Sequence, residues 1–313
     1  MSAPARRVAA IDIGTNSVLL LVAEVTSSGA LRPVLERATI TRLGEGVDRA
    51  RVLKPEAIDR TLACLAEYGQ LLREQGAGSV DAVGTSAMRD ARGGEVFVER
   101  ARELIGVAPR VISGVEEATL TFRGGLSGLV LDDGPVVLFD VGGGSTEIVR
   151  GAIDRGVSTP SAEPAISLDI GSVRLTERHV RSDPPTPDEL RAVAADVDRA
   201  LDAAPNLHGA TLVGVAGTVT TIAAVAQALE PYDGARVHGA ALTLTEVERV
   251  ATQLAETPLA ARCKLPGLSP KRADVIVAGA WLTARLMKRA GADRLVVSDR
   301  GVRWGLAEQL ASH

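Results

Sequence analysis

The chain repeats itself, and the repeat limits what it can fold into. Residues 8–25, "VAAIDIGTNSVLLLVAEV", read as strand, glycine turn, strand; residues 135–151, "PVVLFDVGGGSTEIVRG", read the same way. In both, an aspartate (Asp12, Asp140) ends the first apolar run and a Gly/Ser/Thr loop follows. The echo continues. "SVDAVGTSAMRDA" (79–91) matches "ATLVGVAGTVTTIA" (210–223), each an apolar strand running through Gly-Thr into a helix-compatible stretch. "PRVISGVEEATLTF" (109–122) matches "DRLVVSDRGVRWGLAEQL" (293–310), a short strand, a turn at Ser and a closing helix.

Between these strands the spacing changes to the helical period. "KPEAIDRTLACLAEYGQLLREQG" carries Pro near its start, apolar Ile58, Leu62, Leu65 and Leu72, and Gly76 as a stop. "GEVFVERARELIG", "DELRAVAADVDRAL" and "TEVERVATQLAE" follow the same pattern, the last with Thr245 as expected N-cap. "SPKRADVIVAGAWLTARLMKRAG" is long and apolar enough for a core. Each half therefore reads β-β-β-α-β-α-β-α, which predicts an α/β protein of two domains, mixed sheets flanked by helices, with a cleft between them. The expected domains are 1–127 and 128–313, separated in "GGLSGLVLDDGP", with the final helix free to pack back on the first half.

Three loops directly after apolar strands, "DIGTNS", "DVGGGST" and "VAGTVTT", point to chemistry. Glycine loops let main-chain N–H groups approach phosphate oxygens, and flanking hydroxyls add donors. Neither GxxxxGK[ST] nor GxGxxG occurs. Carboxylates stand beside the loops: Asp12 and Asp140 at strand ends, Glu147 after the second loop, Glu116 and Glu117 after "ISG". Such hard oxygen donors suit Mg²⁺ beside a phosphate, although Glu116 and Glu117 also suit an ordinary first helical turn. Arg89 follows a strand-to-turn step, where a guanidinium can grip phosphate with two donors.

The remaining composition narrows the field. Aromatics are 2% of 313 residues, too few for a base-stacking platform, and the net charge of −4 argues against a nonspecific grip on nucleic acid or membrane. A polyanion would need a local basic groove. His179, His208, His238 and His313 lack zinc-ligand spacing; Cys64 and Cys263 have no CxxC partner, and Cys64 reads as a small core thiol. With no long apolar run and no signal-peptide pattern near the start, the expected location is the cytoplasm.

Taken in order, "DIGTNSVLLLV … GTSAMRDA … VISGVEEATL … DVGGGSTEI … SLDIGSVRLTE … GVAGTVTTIA … RADVIVAG" resembles the exopolyphosphatase/guanosine pentaphosphate phosphatase family over nearly the whole chain. That family belongs to the actin/Hsp70/sugar-kinase superfamily, so the resemblance implies two ribonuclease-H-like, actin-like ATPase domains with the active site in the interdomain cleft. It implies a hydrolase that uses Mg²⁺ (or Mn²⁺) to release terminal phosphate from inorganic polyphosphate, or from guanosine pentaphosphate in the stringent response. Glu117 then matches the water-activating base, and Asp12, Asp140 and Glu147 the acidic positions linked to metal and water. Asn16, Ser17, Arg89, Gly142, Gly143, Gly144, Ser145, Thr146, Gly217 and Thr218 match the phosphate-binding positions. Leu19 and Gly93 stand where the family often has a basic residue and an asparagine. The resemblance also implies a homodimer in some members, and weaker retention of long polyphosphate in a chain without the longer members' C-terminal helical domains. Two other readings use the same loops: an ATP-dependent small-molecule kinase, and a non-catalytic nucleotide-gated assembly protein.

Overall fold

The computed structural model describes residues 6–155, 157–160 and 165–312. His313, weighed above as a zinc ligand, and the first five residues lie outside the described residues. By compactness the chain forms two units: residues 1–124 with 302–313, and residues 125–301.

The first unit is built on strands β1 (Arg7–Ile13), β2 (Ser17–Val25), β3 (Leu31–Ile40), β4 (Ser79–Gly84) and β5 (Arg110–Val111), in the order β3-β2-β1-β4-β5. β1, β2 and β3 form an antiparallel meander, and β4 and β5 add in parallel. Both faces are buried, which explains why β1 and β2 read as continuous apolar runs. Side chains alternate between faces. Ala9, Ile11 and Ile13 pack with Leu62, Leu65 and Phe97 under the helices Pro55–Glu74 and Glu95–Ile105. Val8 and Ala10 pack on the other face with Ile112, which follows β5, and with Leu120, Val302 and Trp304 from the helices Gly114–Leu126 and Val302–Ala311. The last helix is fastened within this unit: Arg303 pairs with Glu36 at 2.7 Å, and Arg6 donates to the carbonyl of Leu310 at 2.7 Å. Cys64 is buried in this core, and burial pushes its thiol pKa up, as the sequence reading of a structural thiol requires.

The second unit repeats the plan. Its strands are β6 (Gly134–Val141), β7 (Thr146–Asp154), β8 (Val157–Pro160), β9 (Ile166–Leu168), β10 (Thr211–Val215), β11 (Ala241–Thr243) and β12 (Arg294–Val297). They run in the order β11-β12-β10-β6-β7-β8, with β9 also on β7. β6–β7 corresponds to β1–β2, and β10 lies parallel to β6 as β4 does to β1. The edge strand β11, antiparallel to β12, is an addition that the repeat did not foretell. The helix following it is capped by Thr243, not Thr245: Thr243 Oγ1 accepts from Glu246 N and Glu246 Oε2 accepts from Thr243 N, a capping box that starts the helix at Leu244. Helix Ile276–Ala290 is buried along most of its length, as its composition demands.

Candidate active site

The two first hairpins are closed by the same bond. Gly14 N donates to Ser17 O at 3.0 Å and Gly142 N to Ser145 O at 3.1 Å. A Cβ on either glycine would lie 3.0 Å from that serine oxygen, so the turn needs glycine for its close approach.

Each hairpin loop is then held from behind by backbone donors. In the second unit Ser172 N reaches Gly142 O at 2.9 Å, and Val173 N and Arg174 N reach Gly143 O at 2.9 and 3.1 Å. These amides open the helix Ser172–His179, where N–H groups have no intrahelical acceptor. A trans peptide points its N–H opposite its C=O. With the carbonyls of Gly142 and Gly143 turned to the helix, the N–H groups of Gly143 and Gly144 turn away from it, and neither has a protein acceptor among the described residues. That is an anion-binding geometry. Gly171 makes the packing possible: a Cβ there would lie 2.5 Å from Gly143 O. In the first unit Gly44 N takes Thr15 O at 2.9 Å, while Thr41 N and Arg42 N take Asn16 O at 3.1 and 3.0 Å. The side-chain amide of Asn16, only 6% exposed, has no protein hydrogen bond among the described residues, and its Oδ1 is buried.

Carboxylates flank these loops. Asp140 on β6 sits directly opposite Glu147 on β7, so both side chains project from one face. They are 9% and 1% exposed, and Ser167 Oγ donates to Glu147 Oε1 at 2.6 Å. Like charges placed opposite one another and buried are unfavourable without a neighbouring cation. Mg²⁺ takes oxygen ligands, keeps waters and uses one or two carboxylates beside phosphate. The Asp140–Glu147 pair fits it, although no group of three His, Cys, Asp or Glu side chains able to hold a metal occurs among the described residues. Asp12 is also buried, but the residue across from it is Leu19.

Glu117 lies one turn into the helix Gly114–Leu126 and is 6% exposed. Its Oε2 accepts from Arg89 Nη1 at 3.0 Å, and the same nitrogen donates to Ile112 O at 3.1 Å. Arg89 comes from the short helix Ser86–Asp90 that follows β4. Its Nε and Nη2 donors meet no protein acceptor among the described residues, and its side chain is partly exposed. The guanidinium thus holds the carboxylate with one nitrogen and keeps a two-donor edge for an oxyanion.

The other expected residues lie at loop ends, strand starts and a helix start. Thr146 is fully buried and its hydroxyl donates to Ile170 O at 2.7 Å, which makes it a brace of the glycine loop. Ser145 is buried at the loop's end, and Ser17 begins β2 with its carbonyl closing the turn. Gly217 and Thr218 lie in the first turn of the helix Ala216–Ala226, where Ala216 adopts φ 70°, strained for a residue with a Cβ. A Cβ on Gly217 would run into the guanidinium of Arg272, a residue whose pKa burial lowers. Thr218 packs beside Gly279 of the long helix. The amides at 41–44 and 172–174 were missed in the sequence; a second "DIG" at 169–171 was the one available signal.

Comparison with known proteins decides the family. The model of the Ppx/GppA phosphatase family matches residues 21–313. The chain belongs to the Ppx/GppA phosphatase family. Exopolyphosphatase 2 of Mycobacterium tuberculosis is 41% identical over 321 residues, covering 97% of this chain and 98% of that one. A crystal structure of the Aquifex aeolicus family member superposes with a TM-score of 0.81 at 34% identity, covering 99% of this chain and 98% of the other. The guanosine-5'-triphosphate,3'-diphosphate pyrophosphatase of Vibrio atlanticus is 28% identical over 96% of this chain and 59% of its own length. The two mixed sheets flanked by helices are those of the Ppx/GppA structures, with their actin-like two-domain fold, as expected from the sequence. The chain is accordingly a hydrolase of phosphoanhydrides. No helix among the described residues is long and apolar enough to cross a membrane.

Proposed function

We propose that the protein is an exopolyphosphatase, releasing inorganic phosphate from the end of linear polyphosphate by attack of water. The observation that carries this reading is the second-unit hairpin: outward amides of Gly143 and Gly144 for a phosphoryl oxygen, beside the buried Asp140–Glu147 pair for its counter-cation. Phosphoryl transfer asks a protein mainly for positioning and for neutralisation of charge on the equatorial oxygens. The glycine loop, Ser145 and the free edge of Arg89 supply donors; Asn16 and Ser17, with Gly217 and Thr218, complete the phosphate contacts. Mg²⁺ held by Asp140 and Glu147, with Asp12 as a further acid, would offset the substrate's negative charge. Glu117 accepts the proton of the attacking water. The products are inorganic phosphate and a chain one phosphate shorter. Thr146 acts through the loop it braces.

A second reading has one observation in its favour. Tyr232 is 52% exposed. An exposed aromatic ring can hold a purine, so guanosine pentaphosphate is the alternative substrate.

Side-by-side kinetics with tripolyphosphate, long-chain polyphosphate and guanosine pentaphosphate test the assignment. The proposal expects kcat/KM to favour a polyphosphate, with short chains preferred. A clear preference for the nucleotide would transfer the function to the second reading.

A further inference from the structure

His238, whose spacing in the sequence does not suit zinc, belongs to a polar cluster in the second unit. It follows the short helix Gly234–Val237 and is half-buried. Its Nδ1 lies 3.1 Å from Asp299 Oδ1 and 3.3 Å from Ser298 Oγ. A carboxylate only accepts, so Nδ1 carries a proton and donates it to Asp299. The other ring nitrogen, Nε2, is buried and has no hydrogen-bond partner among the described residues. Asp299 and Ser298 share one nitrogen, so the trio is not a base–nucleophile relay, which needs both. The ring acts instead as a clamp on its two partners.

What it clamps is the loop of residues 298–301, at the carboxyl end of β12. β6, β10 and β12 run parallel, so Asp140, near the end of β6, lies at the same end of the sheet. Open α/β sheets bind ligands at the carboxyl ends of their strands. Ser298 N donates to Gly214 O of β10 at 2.9 Å, and Ser298 Oγ accepts from Arg300 N at 3.2 Å. Arg300 Nη1 donates to Ser127 O at 3.1 Å, a further anchor. Asp299 is pressed against the helix that precedes His238: a Cβ on Gly234 would lie 2.9 Å from Asp299 Oδ2. The loop ends at Gly301, where a Cβ would lie 4.0 Å from Asp140 Oδ2 and meet nothing nearer. Glycine thus lines this carboxylate with backbone alone and leaves beside it the room that a hydrated cation needs.

We infer that His238 is a positioning residue for the cation site. Through Asp299 and Ser298 it holds residues 298–301 beside the Asp140 carboxylate, and so sets how tightly the Asp140–Glu147 pair takes a divalent ion. Supporting groups of this kind orient a ligand without touching the metal. The inference rests on the reading of that pair as the Mg²⁺ site and is independent of which phosphoanhydride is cleaved.

The test is direct binding of Mn²⁺, a spectroscopic substitute for Mg²⁺, to the whole chain without substrate. It is read from the loss of the free ion's electron paramagnetic resonance signal. His238→Ala should weaken binding by about tenfold. His238→Asn keeps an N–H donor where Nδ1 stands and should restore most of the affinity; His238→Gln places its donor at the Nε2 position and should not. Thermal melting of the same variants separates support of the site from support of the fold. Mn²⁺ affinity that merely follows Tm, with Asn and Gln alike, would overturn the inference. Glu147→Leu serves as the reference. If it weakens Mn²⁺ binding and His238→Ala does not, the inference falls while the carboxylate reading stands. If neither weakens it, the carboxylate reading fails and the inference with it.

Discussion

The two hairpins that open the two units are built alike and charged differently. Both close with a glycine N–H on a serine carbonyl, both end the first strand with a buried aspartate, and both have loop carbonyls gripped from behind. Seven residues after the aspartate they part: β7 places Glu147 opposite Asp140, whereas β2 places Leu19 opposite Asp12. The next strand-to-helix turns also differ. Aligning Gly84-Thr85 with Gly217-Thr218 puts Arg89 against Ile222, a fully buried core residue. One duplicated frame has thus been divided between two tasks. The second copy collects carboxylates around an amide cradle; the first carries the Arg89–Glu117 pair.

The largest test of that division removes the first copy's acid. Glu117→Gln keeps the shape of the side chain and loses its proton acceptor, so kcat should fall by about 10²–10⁴-fold in phosphate-release assays while polyphosphate still binds. Making the second hairpin resemble the first comes next. Glu147→Leu should raise the Mg²⁺ concentration giving half-maximal activity by about 10–100-fold, the range seen when metal sites lose a supporting group; an unaltered Mg²⁺ titration would show that the carboxylate pair does not hold the ion. Gly171→Ala addresses the loop's support. The added methyl meets Gly143 O, and overpacking of this kind costs about 1–3 kcal/mol, visible as a lowered Tm and a raised KM; Gly94→Ala, with open space around it, should leave both unchanged.

Much of this was written openly in the chain. The duplicated strings fixed the strand pairing of both units, because an aspartate at a strand end followed by glycine leaves few alternatives to a hairpin. The carboxylates and glycines of the site stand inside those strings. The Arg89–Glu117 contact joins residues from separate helices, and no local pattern specifies such a pair. The amides of Gly44 and Ser172 are equally silent, since a backbone N–H has no residue identity. The direction of the Thr146 hydroxyl is silent for a related reason: its type was legible, but where it points depends on Ile170, supplied by a later turn.

The smallest expected effect lies away from the site and asks whether the second unit stands by itself. Burial tends to raise the pKa of Asp196, but His179, at 2.8 Å, and Arg178 outweigh it and leave that pKa lowered. A carboxylate with a depressed folded pKa stabilises above its unfolded value, about pH 4, and the contribution disappears as pH falls toward the folded value. Asp196→Asn should therefore lower the stability of the protein at pH 7 by about 1 kcal/mol, with the gap from wild type closing below about pH 4, measured by urea unfolding.

Water is the acceptor of the phosphoryl group in a phosphoanhydride hydrolase. Wild-type protein supplied with linear polyphosphate and Mg²⁺, and with no other acceptor, should release inorganic phosphate and leave chains shortened from their ends. Absence of phosphate release until a small-molecule acceptor is added would contradict it.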